Sequence, residues 1–169
     1  MMIEENNSDV MNRVMNSFFK VISTRTTPAH AWLTLKKLIG KLTYNYNFLN
    51  NIEVIEINDI KEMEYYDTDI KNIVNINSES IDSINRDMIG KAIQSFADEI
   101  INYLGEKAGY HLLCEFRYDI GDDYFSIIKS MGVDLHLDIL QNNLYGWVTE
   151  DISNDKKITK QKEIINEVI

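Results

Sequence analysis

The fold is decided by the stretch Ser80–Asp119, which reads SIDSINRDMIGKAIQSFADEIINYLGEKAGYHLLCEFRYD and is the longest run without a strong helix breaker. Apolar residues recur in it at helical spacing, namely Ile84, Met88, Ala92, Phe96, Ile100, Tyr103 and Leu104, with Ile89 and Ile93 beside them. One straight helix over 81–119, capped by Ser80, would be about 57 Å long. A compact monomer of this size is only roughly 40 Å across. We therefore expect the helix to end or bend at Gly105 or Gly109, or to project into a dimer as a continuous rod.

Two further helices are predicted before this stretch. The first covers 9–22, with Ser8 as its N-cap and a face formed by Val10, Val14, Phe18 and Ile22. The second begins at Thr27-Pro28, where a hydroxyl cap precedes a proline whose missing N–H costs nothing at the first helical position. Its apolar face carries Trp32, Leu35, Ile39, Leu42 and Tyr46, and the asparagine-rich residues 44–47 should end it.

Two short segments rich in β-branched residues, 51–58 and 70–77, are predicted strands. They could pair as an antiparallel ladder, or residues 62–66 could add a middle strand. Residues 110–119 fit a strand or a helix, and we favour a helix because no clear hairpin partner follows. Residues 133–140 alternate like a strand, although Asp134 could instead cap another helix.

These elements predict an α+β protein: a mainly helical single domain around a long central helix, with a small antiparallel sheet. We expect one globular domain over 1–150. Residues 151–169 should form a polar C-terminal tail, in which four apolar residues near the end could make a short amphipathic helix.

Composition argues against several classes of function. The 169 residues include 27 acidic and 17 basic ones, for a formal net charge of −10. This charge disfavours binding to nucleic acid or to an anionic membrane. Cys114 is the only cysteine, so an intramolecular disulfide is impossible and a reducing cytoplasm is the expected compartment. The acidic first ten residues do not resemble a signal peptide. We expect Cys114 to be a core residue, and we expect no cofactor.

Asp134-x-His136-x-Asp138 is a candidate metal site. On a strand these three side chains would project from one face and could offer oxygen and nitrogen ligands to a divalent cation. The alternative is a solvated polar face on an edge strand.

A candidate anion site lies at the predicted start of the second helix. Arg25, Thr26, Thr27 and His30 surround that helix N-terminus, where free N–H groups and a partial positive charge suit a phosphate or carboxylate. The alternative is an ordinary capped helix with Arg25 in solution.

The central stretch also contains Ser95-x-x-x-Glu99-x-x-Asn102. This pattern resembles the signature helix of the CheC/CheX family of chemotaxis phosphatases, over eight residues, although the glycine and proline pattern that normally follows is absent. The resemblance implies that Glu99 and Asn102 position water against an aspartyl phosphate. Residues at i and i+3 share one side of a helix, as this role requires. The alternative is a polar stripe opposite the core face.

The leading hypothesis is a non-enzymatic cytoplasmic interaction or regulatory protein. Its partner is expected to be a second copy, bound through a helical face, or another protein. Two alternatives are a phosphatase-like signalling hydrolase that uses Glu99 and Asn102, and a sensor of small anions at Arg25–His30.

Overall fold

The computed structural model describes residues 4–55 and 72–137, and these residues form a mainly helical α+β fold with a small antiparallel sheet. The elements are α1 Asn7–Arg25, α2 Pro28–Leu42, a 3-10 helix Asn47–Asn51, β1 Ile52–Val54, β2 Val74–Ile76, α3 Ser78–Asp82, α4 Arg86–Leu104, α5 Glu106–Ile120 and α6 Asp122–Ser130. None of the described helices is long and apolar enough to cross a membrane.

The chain divides into two compact units, Met1–Leu135 and His136–Ile169. Nearly all of the described residues belong to the first unit. The predicted boundary after residue 150 and the predicted tail over 151–169 lie outside the described residues.

Helix α1 begins earlier than its sequence predicts, so the assignment of Ser8 as N-cap was wrong. Asn6 takes the cap position and Ser8 is buried inside the helix. The amide of Asn7 donates to the carbonyl oxygen of Ile84 at 2.7 Å, and the backbone N–H of Ser8 donates to Asp82 at 2.8 Å. Because these bonds tie the start of α1 to the end of α3, a tertiary contact overrides the local capping preference.

The predicted start of α2 is confirmed. Thr27 is the N-cap, and its Oγ1 accepts a hydrogen bond from the backbone N–H of His30 at 3.2 Å. Pro28 is the first helical residue, as its fixed φ favours. The helix ends at Leu42, just before the asparagine-rich residues.

The two predicted strands pair in antiparallel register, although the described strands are shorter than predicted. Ile52 lies opposite Ile76, and Val54 lies opposite Val74. The parts of both predictions that fall within 56–71, including the optional middle strand over 62–66, lie outside the described residues.

The central stretch forms three helices. Ser80 lies inside α3, whose cap is Asn77, so its assignment as N-cap was wrong. Asn85 caps α4 by accepting a hydrogen bond from the backbone N–H of Asp87 at 2.8 Å. Helix α4 ends at Gly105, which has φ 84° and ψ 163°, and α5 then covers 106–120. The continuous rod is therefore wrong, and the helical assignment of 110–119 is confirmed.

The buried face of α4 is rotated from the predicted stripe. Ile89, Ile93, Phe96 and Ile100 are buried together with Ala92. Three predicted core positions are instead exposed, namely Met88 at 37%, Tyr103 at 64% and Leu104 at 39%. The rotation occurs because α4 packs against α1, α2 and α5, and only these contacts fix which side is inside.

An aromatic stack joins three helices in the core. Phe18 of α1 stacks on Phe116 of α5, with ring centroids 4.1 Å apart, and it also lies near Phe96 of α4 at 6.3 Å. All three rings are fully buried. Helix α1 also contacts α2, α3, α6 and β2, so it runs through the middle of the described fold.

Residues 133–136 do not form the predicted strand. They follow α6 without helix or strand structure, and His136 has a positive φ of 51°. Val133 and Leu135 are buried, which accounts for the apolar alternation without any strand pairing. Residues 138–140 lie outside the described residues.

Candidate functional site

A cleft between α2 and α4 brings together residues from two separate sequence hypotheses. It has a volume of about 260 Å³, and we call it the α2–α4 cleft. Its lining consists of His30, Leu33, Thr34, Lys37, Leu38, Lys41, Glu99 and Tyr103. His30 was proposed for anion binding and Glu99 for catalysis. Only the packing of α2 on α4 places them in one site.

The apolar part of the cleft is exposed to solvent. The exposed fraction is 50% for Leu33 and 64% for Tyr103, while Leu38, which also lines the cleft, is buried at 8%. Single exposed apolar side chains are ordinary on protein surfaces. Here two of them line one cleft together with the buried side chain of Leu38.

The charged part of the cleft comes mainly from α2. This helix carries His30, Lys36, Lys37 and Lys41 and has no acidic residue. Lys41 Nζ lies 2.6 Å from a carboxylate oxygen of Glu99, so these two charges largely compensate. Lys36 sits over the ring of Trp32 at 4.8 Å. Lys37 is exposed and pairs with no acidic side chain of the described residues, so the rim keeps positive charge.

The predicted catalytic positions have different surroundings. Glu99 is partly buried and paired with Lys41, whereas Asn102 is exposed and does not line the cleft. Ser95 shares a hydrogen bond of 2.9 Å with the hydroxyl of Tyr46. Ser95 and Glu99 of α4 therefore contact Tyr46 and Lys41, which lie after α2 and on it. Such contacts are ordinary for polar residues between packed segments.

Most of the predicted anion site has intramolecular partners. Arg25 donates two hydrogen bonds to Glu115 of α5, at 2.7 and 3.1 Å. The Thr26 hydroxyl donates to the carbonyl oxygen of Ile22 at 2.7 Å, and Thr27 is the cap of α2. These bonds direct Arg25 toward α5 and leave His30 as the one member that lines the α2–α4 cleft.

Part of the predicted metal site can be placed. Asp134 and His136 are exposed, the backbone N–H of Asp134 donates to Gln94 at 2.8 Å, and Asp138 lies outside the described residues. The extended strand that would align the three side chains is absent at 133–136. Across residues 4–55 and 72–137, no three His, Cys, Asp or Glu side chains are grouped to hold a metal ion.

Cys114 is poorly placed for nucleophilic chemistry. Burial raises the pKa of its thiol, and the neighbouring Glu115 carboxylate raises it further. A reactive cysteine needs the opposite environment, one that favours the thiolate. Its partial burial on α5 fits a packing role.

Comparison with known proteins gives no further guide: no family model matches the chain, and no curated protein or solved structure is significantly similar to it. The function is therefore inferred from the residues of the α2–α4 cleft. The sequence pattern missed Leu33 and Lys37 and assigned Tyr103 to the core. The available signal was a helix with four basic or imidazole side chains, and no acidic ones, in a strongly acidic chain.

Proposed function

We propose that this chain is a non-enzymatic interaction protein of the cytoplasm and that the α2–α4 cleft is its contact surface. The observation that carries the proposal is the exposure of Leu33 and Tyr103 in the lining of one cleft, which also includes Leu38. A few side chains, most often Trp, Tyr and Arg, supply most of the binding energy at protein interfaces, so Tyr103 is the expected anchor.

The size of the cleft supports a protein ligand over a cofactor. Pockets that enclose small molecules are typically about 300–1,000 Å³ and bury most of the ligand. A cleft of about 260 Å³ that opens to solvent is small for that task. It is large enough to receive one or two side chains of a partner.

Self-association is one form of this function. The length argument for a dimer required a helix that continues through Gly105, and α4 ends there. The length of one helix therefore no longer supports an interaction role. The exposed face that α2 and α4 form together supports it instead.

Site-specific crosslinking tests the proposal. A photoreactive amino acid at Leu33 should give an adduct, either with a second copy or with another protein, when introduced in the source cells. The same group at Tyr118, which is 89% exposed on α5, is the matched control.

The crosslinked partner should then bind purified wild-type protein, and Leu33→Asp should abolish that binding while leaving the unfolding midpoint nearly unchanged. Equal adducts at Leu33 and Tyr118, or binding that survives Leu33→Asp, would exclude the cleft as the contact surface.

The hydrolase is the second candidate, and one contact favours it. The Lys41 ammonium and the Glu99 carboxylate lie side by side next to solvent. There the lysine could bind a phosphate group through its charge while Glu99 orients the attacking water. Turnover of a phosphorylated aspartate should then fall at least about 100-fold in Glu99→Ala, the size of a typical general-base contribution. Unchanged turnover in both Glu99→Ala and Asn102→Ala would exclude this activity.

A further inference from the structure

We propose that the α2–α4 cleft binds an acidic amphipathic helix of another protein. The inference depends on the proposed interaction function and adds the chemistry of the partner. Two features carry it: the charge of the rim, and the shape and length of the cleft.

The rim favours an acidic ligand. Lys37 is exposed and pairs with no acidic side chain of the described residues. The imidazole of His30, exposed about two turns earlier on the same side of α2, can donate a hydrogen bond to a carboxylate. The positive end of the α2 dipole lies beside His30 and adds to this potential. Glu99 is the acidic residue of the lining and is already paired with Lys41. Carboxylates that flank the apolar face of a ligand would therefore meet uncompensated positive charge.

The shape of the cleft favours a helix. From His30 to Lys41 the lining follows α2 for about 16 Å at 1.5 Å per residue. This length matches about three turns of a ligand helix. The lining includes two exposed apolar side chains, Leu33 on α2 and Tyr103 on α4, together with Leu38. A ligand helix that lies along α2 could insert one or two side chains of its apolar stripe into the cleft, as amphipathic helices do in the grooves that bind them.

The charge of the rim disfavours a second copy in the cleft. In a two-fold dimer through this face, Lys37 of one copy would approach the same lysine-bearing surface of the other. A different partner with acidic side chains at this point would avoid the repulsion between lysines. Its carboxylates would pair with the basic side chains of α2.

A synthetic peptide with the expected chemistry of the partner tests the inference. The probe is a labelled helical peptide of about 15 residues with leucines at i, i+4 and i+7 and glutamates on both flanks. A matched peptide carries glutamine at each glutamate. Fluorescence anisotropy with the full chain measures both dissociation constants at low and at high salt.

We expect the acidic peptide to bind about tenfold more tightly than the glutamine peptide at low salt, and this difference should shrink at high salt. Lys37→Glu should weaken the acidic peptide about 3- to 10-fold. Lys129→Glu, an equal charge change on the exposed surface of α6, should alter it less than about twofold. Leu33→Asp should remove binding of both peptides.

The other outcomes separate the inference from the proposed function. Equal binding of both peptides, lost in Leu33→Asp, would overturn the acidic partner and keep the cleft as an interaction surface. Failure of both peptides, with a dimer in sedimentation that Leu33→Asp dissociates, would assign the cleft to a second copy. Failure of both peptides with a monomeric protein would also overturn the inference, and the crosslinking experiment would then decide the proposed function.

Discussion

The carboxylate of Asp119, at the end of α5, accepts hydrogen bonds from two residues of α1. Lys20 Nζ lies 2.8 Å from one oxygen, and the Ser17 hydroxyl donates to the other. Arg13 also donates to the backbone carbonyl of Asp119 at 2.6 Å. Partial burial acts to raise the pKa of Asp119, but the bonds from Lys20 and Ser17 and the nearby positive charges lower it overall.

Asp119 is therefore expected to make stability depend on pH. Because its pKa is lower in the folded state, its contribution is present above the unfolded value of about 4 and is lost as pH falls through the folded pKa. Asp119→Asn should lower the urea midpoint at pH 7, and the gap from wild type should close in acid. Asp123→Asn, an exposed change at the start of α6, is the control. A gap that stays constant down to acid pH would contradict this role of the Asp119 carboxylate.

Gly90 is a residue whose role depends on a neighbour distant in sequence. A Cβ atom there would lie 2.0 Å from the backbone oxygen of Met131, so the backbones of α4 and the end of α6 approach too closely for any side chain. We expect Gly90→Ala to destabilise the protein by about 1–3 kcal/mol despite alanine's better helix propensity.

Gly40→Ala is the matched control for Gly90→Ala. Its Cβ would meet no atom within 4 Å, so this change in α2 should stabilise by about 0.5–1 kcal/mol. Urea unfolding of both variants measures the contrast. Stabilisation by Gly90→Ala would show that the close approach does not exist in solution.

At the scale of the element, Gly105 decides how the central stretch is divided. Its φ of 84° and ψ of 163° lie in a region that is essentially restricted to glycine. A Cβ there would touch nothing within 4 Å, as at Gly40, so comparing the two alanine variants isolates the backbone conformation.

Gly105→Ala is accordingly expected to lower the free energy of unfolding by about 1–3 kcal/mol, measured by chemical unfolding. Gly40→Ala should not lower it. Sedimentation of the same variant tests whether α4 and α5 merge into a longer helix that exposes new surface. Equal stability of the two variants would mean that the helix break does not need this backbone conformation.

Local chemistry predicted some elements better than others. Thr27-Pro28 set the start of α2 because hydroxyl capping and the fixed φ of proline act within a few residues. Ser8 and Ser80 had the right chemistry for caps, but the helices began elsewhere. Asn7, Asn77 and Asn85 made the contacts instead, and asparagine is too common in this chain to be singled out by composition.

At the scale of the whole molecule, the aromatic stack couples α1, α4 and α5. Phe18→Ala should lower the free energy of unfolding by about 3–5 kcal/mol, because it empties a fully buried position between two rings. This is a large share of the roughly 5–15 kcal/mol that stabilises a typical domain. Calorimetry should show a strongly reduced Tm.

Tyr118→Ala is the comparison for Phe18→Ala. Tyr118 is 89% exposed on α5, so its removal should change stability by less than about 0.5 kcal/mol. A similar loss in both variants would indicate that the stack is not the centre of the core.

The candidate site also belongs to the whole molecule. His30 and Glu99 are far apart in sequence and carry no common motif. They line one cleft because α2 packs against α4 with its basic face at the rim. A sequence pattern can place each residue on its own helix, but it does not contain the rotation and offset of one helix against another.

The sequence by itself determined the α+β class, the approximate positions of the helices and of the two strands, and the start of α2, because periodicity, capping and propensity act over one or two turns. It also identified Gly105 and Gly109 as candidate positions for a helix break, but it left a continuous rod open and did not indicate the break between α3 and α4. The tertiary structure alone decided which face of α4 is buried, which glycine ends that helix and which charges meet in the α2–α4 cleft. These depend on contacts between residues far apart in the chain, whose energies outweigh local preferences.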